Sequence, residues 1–419
     1  MTTTYFILCL LSALLTLNVF RPVCRQPILA MFSFVFGWLA SELTLHLLVL
    51  QIVGTMLFVW AGAVVGLLGS LGLTLSLISW AGMAFLFLDS LKTGTRTEAS
   101  LQQSLGSDYA DAIDAALIEQ IPSELDRRRL LKPFSPHLPE VQCVKDLVYG
   151  SQDGTELKLD IYRSKAKVEN APVLLQIHGG GWTEKMGDKN HQALPLMNQL
   201  AAMGWVCVSV DYRLSPTASW PAHIIDCKLG LKWIREHVEE YGGDPDFVVA
   251  TGGSAGGHLS SLLALTANDP AFQPGFEDVD TSVNACVPFY GVYDMTDSSN
   301  AHHNSGLVDY TQETVFKRDL EAEREVFEAA SPMHRVHECA PPFFVIHGEN
   351  DSLAGVREAD VFVERLRSVS RETVVYHTLP YTQHAFDIFR SPRSEYLMFS
   401  VLRYVNTIYS RYLKSHTSK

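Results

Sequence analysis

Charge is scarce at the start of this chain: between Ile28 and Leu88 the sole formally charged residue is Glu42. A stretch so long and so nearly uncharged is hard to satisfy in water, which argues against a buried helical domain. The apolar run Tyr5–Phe20 has no basic segment ahead of it and is followed by more apolar sequence. Both absences exclude a cleaved secretory signal. Paired cysteine spacing is missing as well. The seven cysteines (9, 24, 143, 207, 227, 286, 339) are scattered and odd in number, most of them within apolar runs such as Val206-Cys207-Val208. They read as buried free thiols, not a disulfide framework. His302-His303 and His334-x-x-His337 with Cys339 lack a fourth ligand at metal-binding spacing and read as polar surface residues. There is no internal repeat and no low-complexity tract. The net charge of −13 falls almost wholly after residue 98, which speaks against nucleic acid and against electrostatic docking on anionic lipid.

What the first part does contain is enough apolar length to cross a bilayer, for which about 20 residues are needed. The pattern predicts one span near residues 5–20, then a hairpin of spans near 43–66 and 70–89 turning at Gly66 to Gly72. Residues 28–41 are too short to place: a further span partner or an interfacial helix. Arg21 and Arg25 follow the first run, and Lys92 and Arg96 follow the last. Positive charge marks the cytoplasmic side, so residues 1–94 read as a transmembrane helical segment of the cell (inner) membrane, with the rest of the chain facing the cytoplasm. Apart from Glu42 this segment has no intramembrane charge, which argues against a transporter. Residues 95–140 turn polar, with Ala110, Ile113, Ala116, Leu117 and Ile121 at helical spacing and then Arg127-Arg128-Arg129. They are expected to be connector and cap helices.

From residue 141 to 419 strands and helices alternate. Strand-like runs are Val144–Tyr149, Leu157–Tyr162, Val173–His178, Val206–Asp211, Phe247–Thr251, Ala285–Phe289, Phe343–His347 and Thr373–Leu379. Helical stretches lie between several of them, Ile224–Glu239 and Val356–Val369 among others, and Pro392 opens a last one through Leu413. Gly150-Ser151-Gln152-Asp153-Gly154 signals a hairpin between the first two strands. The others read as crossover units of a mostly parallel sheet. Residues 294–330 break the rhythm and are expected to form a cap insertion.

The stretch Gly252-Gly253-Ser254-Ala255-Gly256-Gly257, between the strand-like Phe247–Thr251 and an apolar helical run from Leu259, is G-x-S-x-G in strand-turn-helix context. This is a nucleophile elbow, which holds a serine at the apex of a strained turn. A serine hydroxyl needs a base, a carboxylate to orient that base, and preset donors for the oxyanion. His384, after the last strand and a Pro-marked loop, fits the base better than His347, His258 or His377. Asp351, on the turn after Phe343–His347, fits the carboxylate better than its neighbour Glu349 or the helical Asp360, given the order Ser…Asp…His. His178-Gly179-Gly180-Gly181-Trp182 follows a strand upstream of the elbow, and its bare glycines can bring backbone N–H groups to a carbonyl. Ala255 would add another at the helix start. Arg213 and Asp226 read as a structural ion pair or loop anchor.

From about residue 140 onward the chain resembles the hormone-sensitive-lipase-like α/β-hydrolases, the bacterial family IV esterases, and especially their membrane-anchored actinobacterial relatives. The resemblance rests on several motifs in order: His178-Gly179-Gly180-Gly181-Trp182, Asp211-Tyr212-Arg213-Leu214-Ser215-Pro216 with Trp220-Pro221-Ala222, Gly243-Asp244-Pro245, the elbow, His347-Gly348-Glu349-Asn350-Asp351, and His384-Ala385-Phe386. It implies an α/β-hydrolase fold, a mostly parallel eight-stranded sheet with helices on both faces and a helical cap. It also implies ester hydrolysis by Ser254, Asp351 and His384, with Gly180, Gly181 and Ala255 as oxyanion donors and His178 and Gly179 supporting that loop. Gly253 stands where many members carry Asp. The apolar N-terminal segment lies outside the usual family core.

The expectation is a membrane-anchored serine carboxylesterase for hydrophobic esters of short to medium chain, held in the lipid bilayer through residues 1–91 and needing neither cofactor nor metal. Deacetylation of arylamides or small acetylated metabolites is the enzymatic alternative. A non-catalytic membrane scaffold is the alternative from another class, and an intact triad speaks against it.

Overall fold

The computed structural model describes residues 1–303 and 305–417. Residue 304, within the expected cap insertion, therefore lies outside the described residues.

Eight strands form one sheet: β1 (Val141–Gln152), β2 (Thr155–Ser164), β3 (Ala171–Ile177), β4 (Val206–Val210), β5 (Gly243–Gly253), β6 (Ala285–Phe289), β7 (Phe343–Gly348) and β8 (Val374–Leu379). Their spatial order is β1-β2-β4-β3-β5-β6-β7-β8. The β1–β2 and β2–β4 pairs are antiparallel and the others parallel. The hairpin turns where expected, with Asp153 and Gly154 at φ of 50° and 78°, as a tight two-residue turn requires. Every residue of β3, β4, β6 and β7 is buried, which explains their largely apolar sequences: crossover helices cover both faces of a parallel sheet. Ala222–His237, Ala255–Leu265 and Val356–Val369 pack on one face, and Leu194–Ala202 and Pro392–Thr417 on the other.

The N-terminal part folds as α1 (Thr2–Phe20), α2 (Pro27–Glu42), α3 (Thr44–Trp60), α4 (Gly66–Ser90) and α5 (Thr93–Leu105). Two helices, α1 and the rod Gly66–Leu105, are long and apolar enough to cross a membrane, and a third crossing results if α2 and α3, bent by 89°, count as one. The turn expected at Gly66 to Gly72 lies earlier, between Trp60 and Gly66, with Gly62 at φ 73°. Gly69 and Gly72 are instead helical packing positions: a Cβ on Gly72 would meet the Tyr5 ring at 2.9 Å. Gly72, Ser76 and Ser79 give α4 a small-residue face toward α1, across which Thr16 and Ser79 hydroxyls meet at 2.7 Å. Small residues at such a face let two helix backbones approach closely.

Residues 95–140 lie mostly along the C-terminal helix. Thr97 meets Ser400 at 2.6 Å and Glu98 pairs with Arg403 at 3.0 Å. The N-terminal helices are tied to the sheet domain by a buried ion pair, Glu42 to Arg393 at 2.5 Å, to which Ser391 adds a 2.6 Å hydrogen bond.

Candidate active site

Strand β5 runs into the helix Ala255–Leu265 through Ser254 alone, at φ 58° and ψ −121°. Holding a non-glycine residue there costs roughly 1–3 kcal/mol, and such strain persists only where surrounding structure imposes it. Gly252 and Gly256 let it do so. A Cβ on Gly256 would run into the carbonyl of Ile177, and one on Gly252 into the carbonyl of Gly256. The Ser254 N–H is held by the Phe289 carbonyl at 3.0 Å, which points the side chain away from the sheet.

His384 follows β8 between two left-handed residues, Tyr381 and Ala385, at φ 57° and 56°. Its Nδ1 donates to Asp351 Oδ2 at 2.5 Å, leaving Nε2 as the acceptor. Asp351 is fully buried, and its other oxygen accepts the N–H groups of Leu353 and Ala354, both at 2.9 Å. A second histidine, His347 at the end of β7, brings Nε2 within 3.4 Å of the same carboxylate. Burial alone would raise the Asp351 carboxyl, but the charges and hydrogen bonds of His384 and His347 outweigh it and hold the group well below the ordinary carboxylate range. Asp351 is thereby kept ionised opposite His384. The rivals lie elsewhere: Glu349 binds Thr378 at 2.9 Å and Asp360 binds Tyr376 at 2.7 Å.

Ser254 and His384 line one cavity of ≈ 300 Å³ together with Gly181, Trp182 and Tyr310. Among the described residues no hydrogen bond yet joins the two side chains; such contacts are often long without substrate and tighten in the complex.

The glycine loop after β3 has Gly180 and Gly181 at φ 111° and 59°, a conformation side chains resist. Gly179 donates to Gln192 Oε1 at 2.6 Å. Gly180 and Gly181 donate to no protein acceptor among the described residues. Ala255 opens its helix, where the first N–H groups lack intrahelical partners. The loop is held from below. His178 stacks on Tyr212 at 4.4 Å, and the Tyr212 hydroxyl donates to the His178 carbonyl at 2.9 Å. Trp182 donates to His258, whose other nitrogen donates to the Ala330 carbonyl at 2.7 Å. Burial pushes His258 down to about 4, so it is a neutral packing residue and not a second base. Arg213 and Asp226 form a two-pronged pair at 2.8 and 2.9 Å behind the loop.

The cavity roof differs from expectation. No residue of 95–140 lines it, because that segment is occupied along the C-terminal helix. Gly306, Leu307 and Tyr310 of the insertion do, and so do Pro27, Ala30 and Met31 of α2. Tyr310 also donates to the Gly181 carbonyl at 2.7 Å. His347, set aside as the base, thus braces the carboxylate, and residues that sequence reasoning passed over are Tyr290, Phe34 and Trp38. Tyr290 answers the departure at Gly253: a Cβ there would meet its hydroxyl at 2.6 Å. Its ring lies 4.5 Å from that of His384, and its hydroxyl donates to Asp387. The carboxylate missing before the serine thus has a counterpart three residues after the histidine.

This geometry has known relatives. Residues 159–366 match the family model described as BD-FAE. The chain is 40% identical over 416 residues to "Probable carboxylic ester hydrolase LipM" of Mycobacterium tuberculosis, covering 95% of this chain and 92% of that protein. It belongs to the hormone-sensitive-lipase-like α/β-hydrolase esterases. Another member, "Esterase LipQ" of the same organism, is 42% identical over 320 residues, 75% of this chain and 74% of the relative. The fold is shared with Thermogutta terrifontis esterase 2 phosphonylated by sarin, at TM-score 0.53 and 24% identity, over 64% of this esterase and 94% of that one. Because the first match covers 95% of the chain, it reaches into the apolar N-terminal helices, beyond the part for which family resemblance was expected.

Proposed function

We propose that this esterase hydrolyses hydrophobic carboxylic esters of short to medium chain through an acyl-enzyme on Ser254. The observation that carries the reading is the 2.5 Å His384–Asp351 pair beside a cavity that Ser254 shares with the glycine loop. His384 Nε2 takes the serine proton as Oγ attacks the ester carbonyl. The N–H groups of Gly180, Gly181 and Ala255 receive the oxyanion, each worth about 3 kcal/mol of barrier. His384 then protonates the departing alcohol, and a water activated by the same nitrogen releases the acid. A volume of ≈ 300 Å³ sits at the small end of ligand sites, roughly 300–1,000 Å³, which favours a short to medium acyl group. A fluorophosphonate should label Ser254, and Ser254→Ala should lose labelling and ester turnover together. Turnover surviving in Ser254→Ala would sink the assignment.

The proposed division is a membrane segment at 1–94, a connector at 95–140 and the catalytic domain at 141–419. The bilayer is the cell (inner) membrane, and Arg21, Arg25, Lys92 and Arg96 put the catalytic domain on its cytoplasmic side. A reporter that matures only outside the cytoplasm, fused after residue 96, should stay silent; its maturation would reverse this orientation.

A further inference from the structure

α2 has two unlike faces. Ala30, Ser33, Gly37, Ala40, Ser41 and Glu42 are buried, most of them small, so the helix lies close on the catalytic domain. Ser352 donates to the Ala30 carbonyl at 3.0 Å, and Trp38 donates to the Ala385 carbonyl at 2.8 Å. The opposite face shows Ile28, Phe32, Val35 and Phe36 to the outside, with Ile28 74% and Phe32 58% exposed. It carries no charge. A contiguous apolar surface of this kind marks an interaction site.

α3 is bent by 89° from α2, and its 17 residues reach about 25 Å, close to the ~30 Å hydrocarbon core of a bilayer. With α3 running across the bilayer, α2 lies near the membrane plane, and its apolar face enters the boundary of headgroups and acyl chains. The other side of the same helix lines the Ser254 cavity, so one helix, about 10 Å thick with its side chains, separates the reacting serine from lipid. Met31 belongs to both sides: it lines the cavity and is 43% exposed. An unbranched thioether side chain can swing aside at little cost.

We propose that α2 is an interfacial helix forming the membrane-side wall of the substrate cavity, and that an ester with an apolar acyl chain enters from the bilayer past Met31, not from water. This rests on Ser254 being the ester-cleaving nucleophile.

The test uses the full chain in phosphatidylcholine vesicles with two esters, water-soluble p-nitrophenyl acetate and vesicle-dissolved p-nitrophenyl decanoate. Phe32→Glu, on the outer face, should lower the decanoate-to-acetate rate ratio about tenfold by driving α2 out of the apolar boundary. Met31→Trp should lower the same ratio by blocking the entry. A wild-type thermal unfolding midpoint certifies that each variant is folded, and Phe32→Asn replaces Phe32→Glu should the latter fail to fold. Ratios unchanged in folded variants overturn the proposal. Absence of Ser254 labelling in the wild type overturns the nucleophile assignment beneath it instead.

Discussion

Ser254 and the glycine loop sit on β5 and β3 in the middle of the sheet, whereas His384 and Asp351 sit on loops after β8 and β7 toward its edge. The first pair is placed by backbone contact: bare glycines meet carbonyls of adjoining segments with no room for a methyl group. The second pair is braced from outside the domain. Asn350 donates to the Val19 carbonyl at 2.5 Å, Ser352 binds α2, Trp38 binds Ala385, and the Phe34 ring meets His384 edge-on at 5.9 Å. Half of the site is thus built into the hydrolase core. The other half leans on helices that a purely anchoring segment would not need to supply.

The sharpest break comes at the junction of acid and base. Asp351→Asn should keep the fold but lower kcat by about 10⁴-fold, because the amide no longer fixes the His384 tautomer; steady-state kinetics on a soluble ester reads it directly. A loss of less than tenfold would remove Asp351 from the catalytic row. Next, Glu42→Ala leaves Arg393 buried without its carboxylate, at a cost of about 3–5 kcal/mol. A large fall in thermal midpoint together with weakened turnover would show the bracing to be real; unchanged turnover in folded protein would show α2 to be dispensable to the chemistry.

Trp38→Phe sharpens the contrast, since it keeps the ring and removes only the N–H donated to Ala385. The expected loss is about 1 kcal/mol, seen as a several-fold drop in kcat at constant KM. An unaltered kcat would reduce Trp38 to packing. The smallest effect concerns His302, buried against Glu358 at 3.2 Å. Burial disfavours its charge, but Glu358 outweighs burial and raises it to about 8. A raised histidine stabilises the fold fully below its unfolded pKa, about 6.5, and the contribution is lost as pH rises through about 8. The thermal midpoint should therefore decline across that window in the wild type and stay flatter in His302→Gln. Parallel curves would exclude the pair as a contributor.

Much of the site was legible residue by residue. Five of the eight strand-like runs fall within their strands and the other three overrun by a single residue, at His178, Asp211 and Thr373, since buried parallel strands carry their signature in their own apolar sequence. Asp351 and His384 could be chosen over Glu349 and His347 by their place after strands. His347 was weighed at its strand end and set aside as the base, and its place against the Asp351 carboxylate showed only in the fold. Tyr290 was signalled only by an absence, the missing side chain at Gly253, and an absence does not say what fills it.

The N-terminal helices show where such reading ends. Their sequence makes two of these helices long and apolar enough to cross a membrane, and the local chemistry of glycine, serine, histidine and aspartate marks the elbow, the bare amides and the order of the candidate catalytic groups. Only the tertiary structure decides that residues 27–42 form a wall of the cavity. A helix whose buried face is small and whose outer face is bulky and apolar has no solvent-facing polar stripe to reveal which side it buries, and a contact such as Trp38 to Ala385, 347 residues apart, leaves no mark on the sequence between.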